Sequence, residues 1–238
     1  MSSTTGPVEA VIFDYGGVIS ERFFDELGSF EDRMGYPRGS VHRLMFGAVE
    51  IHGGGDPVDG AYDEGPVHDF HLLEMGRLSL LDYLNGLIAR APDVIGQTLD
   101  FTAYQEFASS MPVLVQWPMV HRIRRLRDDG MPLALLTNNV KEFGTAWRAT
   151  FPVDELFPIV VDSSEVGMRK PDPAIYELTC DRLRIRPEVA VFLDDNLDNV
   201  RAAGALGIET VLVGREPLAA IAELDALLER RGTRARVR

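Results

Sequence analysis

Polar side chains follow directly after apolar runs at three places in this sequence, and a lysine lies in the connection before the last of them. These residues are Asp14, the pair Thr137-Asn138, the pair Asp194-Asp195 and Lys170. Carboxylates that meet repel one another unless a cation lies between them, and Mg²⁺ takes one or two carboxylates together with waters and substrate phosphate. A threonine hydroxyl, a backbone N–H and a lysine ammonium suit the oxygens of a phosphoryl group. If the fold brings them together, these residue types predict a magnesium site beside a phosphate-binding site.

The elements that must position these residues are short apolar runs separated by helical patterns. The predicted strands are residues 8–14, 133–136, 158–162, 189–193 and 208–213, and a helix beginning at Asp172-Pro173 lies between the third and the fourth. This alternation predicts an α/β fold with a doubly wound parallel sheet. Parallel strands place their carboxyl ends at one edge, where ligands bind. Asp14 with the glycines after it is also compatible with an ordinary β-turn, but the two further runs that end in polar residues favour a site.

The chain between the first two strands has a different character. Apolar residues recur there at helical spacing, with Ser79 as a predicted N-cap. We therefore predict a helical cap domain over residues 20–112, inserted into a Rossmann-like core formed by residues 1–19 and 113–238. Residues 51–60 are too rich in glycine for a helix, and they are predicted either to connect helices or to close over the site.

Composition limits the partners that this chain is expected to have. The 238 residues are 45% hydrophobic with a net charge of -13, which disfavours nucleic acids and anionic membranes as partners. A single cysteine, Cys180, excludes an intrachain disulfide, and no signal peptide or membrane span is recognisable. We expect a cytoplasmic protein, monomeric or homodimeric, that acts on a small molecule. The basic end, residues 230–238, is predicted to be a frayed, solvated tail, with binding of an anionic partner as the alternative.

Four motifs occur in order along the chain, and together they resemble those of the haloacid dehalogenase superfamily of hydrolases. They are residues 13–18 (FDYGGV), 136–138 (LTN), 167–173 (GMRKPDP) and 192–199 (FLDDNLDN). The chain looks most like the phosphatases related to the N-terminal domain of soluble epoxide hydrolase and to bacterial sugar-1-phosphate phosphatases. Residues 74–79 (EMGRLS) also resemble the cap of that branch.

The resemblance implies a role for each matching residue. Asp14 would be the nucleophile that takes up the phosphoryl group as an acyl phosphate, and Mg²⁺ would be bound by Asp14, the Gly16 carbonyl and Asp195. Thr137 and the Asn138 amide would bind the phosphoryl oxygens, and Lys170 would neutralise negative charge. Asp194 and Asn199 would orient Lys170 or the metal-bound waters. The substrate implied is a small phosphorylated metabolite of the sugar or acyl phosphate type.

One position departs from the pattern of this family. Typical family phosphatases have a second Asp two residues after the nucleophile, which protonates the leaving oxygen, whereas this chain has Gly16. Three interpretations stay open: a substrate with a good leaving group, a replacement acid such as a histidine of the insertion, or a weak or non-catalytic phosphate binder. Haloacid dehalogenases also lack that second Asp and need no metal. They usually carry uncharged residues in place of Asp194-Asp195, so this pair favours the phosphatase interpretation.

Overall fold

The computed structural model describes residues 6–22, 26–47, 68–110, 113–144 and 147–234, and a parallel β-sheet lies at its centre. The sheet has the order β3-β2-β1-β4-β5, with β1 at Ala10–Phe13, β2 at Leu133–Thr137, β3 at Ile159–Asp162, β4 at Ala190–Asp194 and β5 at Glu209–Leu212. Each strand lies within or overlaps a predicted apolar run. The predicted doubly wound parallel sheet is confirmed.

Among the described residues, the α-helices fall into two groups along the chain, five before residue 113 and six after it. They are α1 (Leu27–Met34), α2 (Ser40–Phe46), α3 (Asp69–Glu74), α4 (Leu80–Ile95), α5 (Phe101–Ser110), α6 (Trp117–Asp128), α7 (Val153–Leu156), α8 (Ser163–Val166), α9 (Pro173–Leu183), α10 (Leu197–Ala205) and α11 (Pro217–Arg231). The two predicted caps are confirmed. Ser79 accepts a hydrogen bond from the Asp82 amide at the start of α4, and Asp172 accepts one from the Ala174 amide at the start of α9.

Alternation along the strands builds a hydrophobic layer on each face of the sheet. In β1, Val11 and Phe13 belong to the layer formed with α6 and α11, whereas Ala10 and Ile12 belong to the layer formed with α9 and α10. A fully buried side chain of this size stabilises the fold by roughly 1.5–3 kcal/mol. Because a slip of one residue would exchange the two faces, this packing fixes the strand register. It thereby also fixes which residues emerge at the carboxyl edge.

Helices α1 to α5 form a third hydrophobic cluster of their own. Its members are mostly buried side chains of these helices, such as Phe30, Leu44 and Leu87, joined by Val140 from the core. The chain leaves the core and returns to it side by side: Ser20 and Val115 form an antiparallel bridge, and the Gln116 amide donates to the Ile19 carbonyl at 2.7 Å. The domain division at residues 20 and 112 stays a prediction, with which this geometry agrees.

The prediction of a frayed basic tail is wrong for residues 230–234. Helix α11 continues to Arg231, whose guanidinium pairs with Glu209 at 2.8 Å and donates to the Glu188 carbonyl at 2.9 Å. Thr233 also forms a parallel bridge with Val8. The run of arginines suggested solvation, but acceptors from β5 and from the loop before β4 surround its first members.

The glycine-rich residues 51–60 lie outside the described residues, so their predicted role as connection or lid stays a prediction. No helix in the described ranges combines the length and the apolar composition that are needed to cross a membrane.

Candidate active site

Two buried carboxylates leave adjacent strands at the same level of the sheet. Phe13 of β1 pairs with Leu193 of β4, and the next residues are Asp14 and Asp194. The Asp14 amide donates to the Leu193 carbonyl at 2.9 Å, which continues the ladder one step beyond β1. Both side chains are buried. The parallel register therefore brings together two carboxylates that are far apart in sequence.

Lys170 bridges these two carboxylates. Its ammonium lies 2.7 Å from Asp14 Oδ1 and 2.7 Å from Asp194 Oδ2, and its side chain is 1% exposed. The Asn199 side-chain amide donates to both oxygens of Asp194 at 3.1 Å. Because Asp194 is held by both partners, it orients Lys170 toward Asp14. This is the arrangement expected of residues that support a reacting carboxylate.

Thr137 and Asn138 lie at the end of β2, beside β1. Thr137 is buried, and its hydroxyl lies 3.3 Å from the Asn138 carbonyl. The Asn138 side chain donates to the Lys170 carbonyl at 3.1 Å and accepts from the Lys170 amide at 2.9 Å. It therefore fixes the backbone of Lys170. Only the main-chain amide of Asn138 was predicted to take part in the site, because nothing in a Thr-Asn pair indicates which distant backbone the side chain will bind.

Asp195 is held in place by Gly17 and Arg22. Gly17 has a φ of +69°, and a Cβ at this position would overlap the Asp195 carboxylate. Arg22 pairs with the same carboxylate, with Nε 2.9 Å from Oδ2. Arg22 was not predicted as a site residue, because a single arginine after a strand and turn carries no signal of its own. The Asp195 carboxylate therefore occupies space that is free only because residue 17 is a glycine, and it is paired there with the Arg22 guanidinium.

Burial and repulsion disturb the titration of this cluster. Burial raises the pKa of Asp14 to about 8, with Asp194 and Asp195 adding to the shift and Lys170 opposing it. The pKa of Asp195 rises to about 7, again through burial and the charge of Asp194, against the effect of Arg22. Burial lowers the pKa of Lys170, but its ion pairs with Asp14 and Asp194 outweigh this, and the pKa is raised. Burial and mutual repulsion thus oppose the charged forms of Asp14 and Asp195, whereas the neighbouring Lys170 and Arg22 favour them.

The donor set fits a hard divalent cation. Asp14, Asp194 and Asp195 each offer a carboxylate oxygen, and these oxygens lie within 4.8 Å of one another. Mg²⁺ accepts oxygen ligands of this kind and usually keeps several waters. Repulsion from neighbouring carboxylates adds to the effect of burial in raising the pKa values of Asp14 and Asp195, and a bound cation would offset this repulsion. Asp14 and Asp195, two of the predicted metal residues, therefore suit the ion that the sequence suggested, together with Asp194, which was predicted only to orient Lys170 or the metal-bound waters. Binding by the Gly16 carbonyl stays a prediction.

The predicted site residues are thus found close together at one edge of the sheet. Asp14, Lys170, Asp194 and Asn199 are linked by ion pairs and hydrogen bonds, with Asp195 beside Asp14 and Asp194. Thr137 and Asn138 join them from β2. Gly16 lies two residues after Asp14, and a Cβ built on it meets nothing within 4 Å. The roles of these residues in binding and catalysis stay predictions.

The doubly wound sheet thus carries an acidic cluster and a buried lysine at its carboxyl edge. Residues 8–207 match the family model of the haloacid dehalogenase-like hydrolases. The chain belongs to this family.

Its relatives differ in the chemistry for which they are named. The chain is 32% identical over 222 residues, 92% of its length, to acyl-CoA dehydrogenase family member 10 of Mus musculus, of which these residues cover 19%. Identity is 31% over 130 residues with (S)-2-haloacid dehalogenase 1 of Pseudomonas sp. (55% of this chain, 53% of the relative). It is 33% over 100 residues with glyceraldehyde 3-phosphate phosphatase of Methanopyrus kandleri (41% and 42%). The chain therefore spans about half or less of the length of these relatives.

A solved structure shows the same fold. It is that of a haloacid dehalogenase family enzyme from Bacteroides thetaiotaomicron, in complex with magnesium and inorganic phosphate. The TM-score is 0.60 at 19% identity, over 88% of this chain and 96% of the other. At this identity the likeness concerns the fold.

Proposed function

We propose that this hydrolase is a Mg²⁺-dependent phosphatase that acts through an aspartyl phosphate on Asp14. The observation that carries the proposal is the charged cluster in which Lys170 lies 2.7 Å from both Asp14 and Asp194, with Asp195 beside them. An excess of carboxylates around one lysine suits a metal ion and a phosphoryl group together. The magnesium and phosphate bound by the Bacteroides enzyme support the same ligands here.

The chain's own residues divide the work of the reaction. The Asp14 carboxylate attacks phosphorus, the bond from phosphorus to the leaving oxygen breaks, and that oxygen takes up a proton. Lys170 neutralises charge on Asp14 and on the phosphoryl oxygens, while Thr137 and the Asn138 amide donate to those oxygens. Water then attacks phosphorus, which releases inorganic phosphate and restores Asp14. Bound Mg²⁺ would supply further positive charge to the phosphoryl group during both displacements.

The glycine at position 16 indicates the substrate class. No carboxyl group at this position can protonate the leaving oxygen, and such help is worth roughly 10²- to 10⁴-fold in rate. A leaving group of low pKa needs less protonation. We therefore propose a small sugar phosphate with an anomeric phosphate, or an acyl phosphate, as the substrate. We propose that the protein itself is cytoplasmic.

Dehalogenation is the second candidate, and one specific observation favours it. Gly16 lacks the acid that phosphatases of this family use, and a named (S)-2-haloacid dehalogenase is among the relatives. In that reaction the Asp14 carboxylate would attack carbon and expel halide. The acidic pair Asp194-Asp195 argues against it, since attack on carbon gains nothing from additional negative charge around the nucleophile.

An assay with and without Mg²⁺ distinguishes these functions. We expect hydrolysis of p-nitrophenyl, acyl and anomeric phosphates that stops in excess chelator, and no release of chloride from 2-chloropropionate. Asp195→Asn should weaken activation by Mg²⁺, because a neutral amide does not offset divalent charge. Asp198→Asn, which changes another carboxylate of the same segment, is the matched control and should behave as wild type. Unchanged phosphatase activity in chelator would contradict the magnesium assignment.

A further inference from the structure

The end of α3 and the turn after it are attached to the core loop that leads to Lys170. The Glu74 carbonyl accepts a hydrogen bond from Ser163 Oγ at 2.6 Å, and the Arg77 guanidinium donates to the Gly167 carbonyl at 2.9 Å. These contacts join the helical insertion to the core within a few residues of the site.

A buried ion pair strengthens this attachment. Glu74 Oε2 lies 2.7 Å from Arg169 Nε, and the two side chains are 9% and 14% exposed. Burial raises the pKa of Glu74, against the nearby positive charges of Arg169 and Lys170. A buried pair of this kind contributes little more to stability than apolar packing would, but it restricts which arrangement the chain adopts. Its value here therefore lies in placing the residues that carry the charges.

We infer that Glu74 and Arg169 are positioning residues for Lys170. Arg169 directly precedes Lys170 in the chain, and the Asn138 side chain fixes the backbone of Lys170 through two hydrogen bonds. Lys170 is thus held from the core by Asn138 and from the insertion by Glu74 acting through Arg169. Both the Asn138 hydrogen bonds and the Glu74–Arg169 ion pair are needed, because the Lys170 ammonium must stay 2.7 Å from Asp14 and from Asp194 at the same time.

The inference rests on the proposed function, because it assumes that Lys170 neutralises charge in the reaction. It adds that a residue of the insertion sets the position of this lysine. The insertion then contributes to the chemical step itself, in addition to any contact with the substrate. A loss of Glu74 should accordingly affect turnover with p-nitrophenyl phosphate, a substrate chosen because its small leaving group offers the insertion little to bind.

The kinetic test uses variants that keep side-chain size. Glu74→Gln should lower kcat for p-nitrophenyl phosphate by about 10- to 100-fold, as small misplacements of reacting groups do, with little change in KM. Arg169→Lys, which keeps the charge, should lose less than Arg169→Gln. The double variant Glu74→Gln/Arg169→Gln should be no worse than either single change, because both remove one interaction. Glu155→Gln, which breaks an ion pair with Arg127 elsewhere in the core, is the control and should match wild type.

Hydrogen exchange provides a readout that is independent of activity. Amides of residues 163–170 should exchange faster in Glu74→Gln than in wild type, and at the wild-type rate in Glu155→Gln. If the wild-type protein proves to hydrolyse no phosphate, the proposed function fails, and the exchange measurement still tests the pair. The inference would be overturned if Glu74→Gln kept the wild-type kcat and exchange rates, or if only its KM changed. Additive losses in the double variant would also overturn it. If Glu74→Gln does not fold, the comparison of Arg169→Lys with Arg169→Gln decides the question.

Discussion

Gly16 and Gly17 are adjacent, yet the structure restricts them in opposite ways. Gly16 has an ordinary backbone conformation, and a Cβ there would meet nothing within 4 Å. Gly17 has a φ of +69°, and a Cβ there would overlap the carboxylate of Asp195. A side chain is therefore tolerated at the first position and excluded at the second. The two positions permit separate tests of the missing acid and of the metal ligand.

Restoring a carboxyl group at position 16 should change how rate depends on the leaving group. We expect wild type to cleave p-nitrophenyl and acyl phosphates much faster than a simple alkyl phosphate, by a factor on the order of the 10²–10⁴ that acid catalysis supplies. Gly16→Asp should flatten this dependence, since the new side chain has space and needs no unusual φ. The measurement is kcat/KM across a series of leaving groups. A wild-type rate that is indifferent to leaving-group pKa, with chemistry rate-limiting, would show that another residue already provides the proton.

A side chain at position 17 should damage the metal site while sparing the fold. Gly17→Ala would displace the Asp195 carboxylate, so we expect Mg²⁺-dependent turnover to fall on the order of 10²-fold, as for other misplaced catalytic groups. Calorimetric titration should show weaker Mg²⁺ binding. Gly204→Ala in α10 is the matched control, because its Cβ would enter open space. Equal Mg²⁺ affinity in Gly17→Ala and wild type would contradict the placement of Asp195.

At this scale the sequence predicted residue types better than their contacts. The Asp14 and Asp194-Asp195 carboxylates stood out because each ends an apolar run. Arg22 did not, since its partner Asp195 is far away in sequence and comes close only through the turn after β1. The side-chain role of Asn138 was hidden for the same reason. Contacts between loops that meet at the sheet edge can be identified only in the folded structure.

Helix α3 carries two titratable groups whose pKa values are shifted by their surroundings. His71 is half-buried in this helix, and burial together with the positive charge of Arg169 and the neighbouring His68 lowers its pKa to about 4. Glu74 at the end of the same helix has a raised pKa, caused by burial. The helix that attaches the insertion to the core is therefore sensitive to acid through two groups of opposite effect.

Replacing His71 should reduce the loss of stability in mild acid. The unfolded chain protonates His71 near pH 6.5 and the folded chain only near pH 4, so the unfolded state binds more protons between these values and stability falls as pH falls through them. Allowing for its partial exposure, this loss amounts to about 1 kcal/mol between pH 7 and pH 5. Thermal unfolding of His71→Gln should show correspondingly less loss than wild type. The raised pKa of Glu74 works in the opposite direction in both proteins and cancels in the comparison.

An exposed histidine provides the control for this experiment. His121→Gln on α6 should follow the wild-type pH profile. Identical profiles for His71→Gln and wild type would mean that the folded protein does not hold His71 in its neutral form.

The elements themselves were largely predictable, apart from their ends. Short apolar runs indicated the strands and helical spacing of apolar residues indicated the helices, while capping residues such as Ser79 and Asp172 marked two helix starts. The end of α11 was misjudged, because a row of arginines looks solvated until Glu209 and the carbonyl of Glu188 come close to Arg231. Local patterns do not reveal acceptors provided by distant strands.

At the scale of the whole molecule, the chain is strongly negative, but several positively charged side chains lie at the site. The chain has a net charge of -13, yet Lys170, Arg22 and Arg169 lie within or beside the acidic cluster. If the proposed function holds, these local cations, together with a metal ion, would allow an anionic substrate to approach an acidic protein. The sheet topology gathers the acidic groups, and the insertion contributes through Glu74. Catalysis is therefore expected to depend on both parts of the chain.

Trapping of a phosphoryl group on Asp14 tests the central claim most directly. Enzyme in excess over p-nitrophenyl phosphate, with Mg²⁺, should be quenched in acid within the first turnover and mapped by peptide mass spectrometry. Because Gly16 provides no base to activate water, hydrolysis of the acyl phosphate should be the slower step for this leaving group, and the intermediate should accumulate. We predict a phosphoryl group on the peptide that contains Asp14, absent in chelator and in Asp14→Asn. Wild-type turnover by Asp14→Asn would contradict the account.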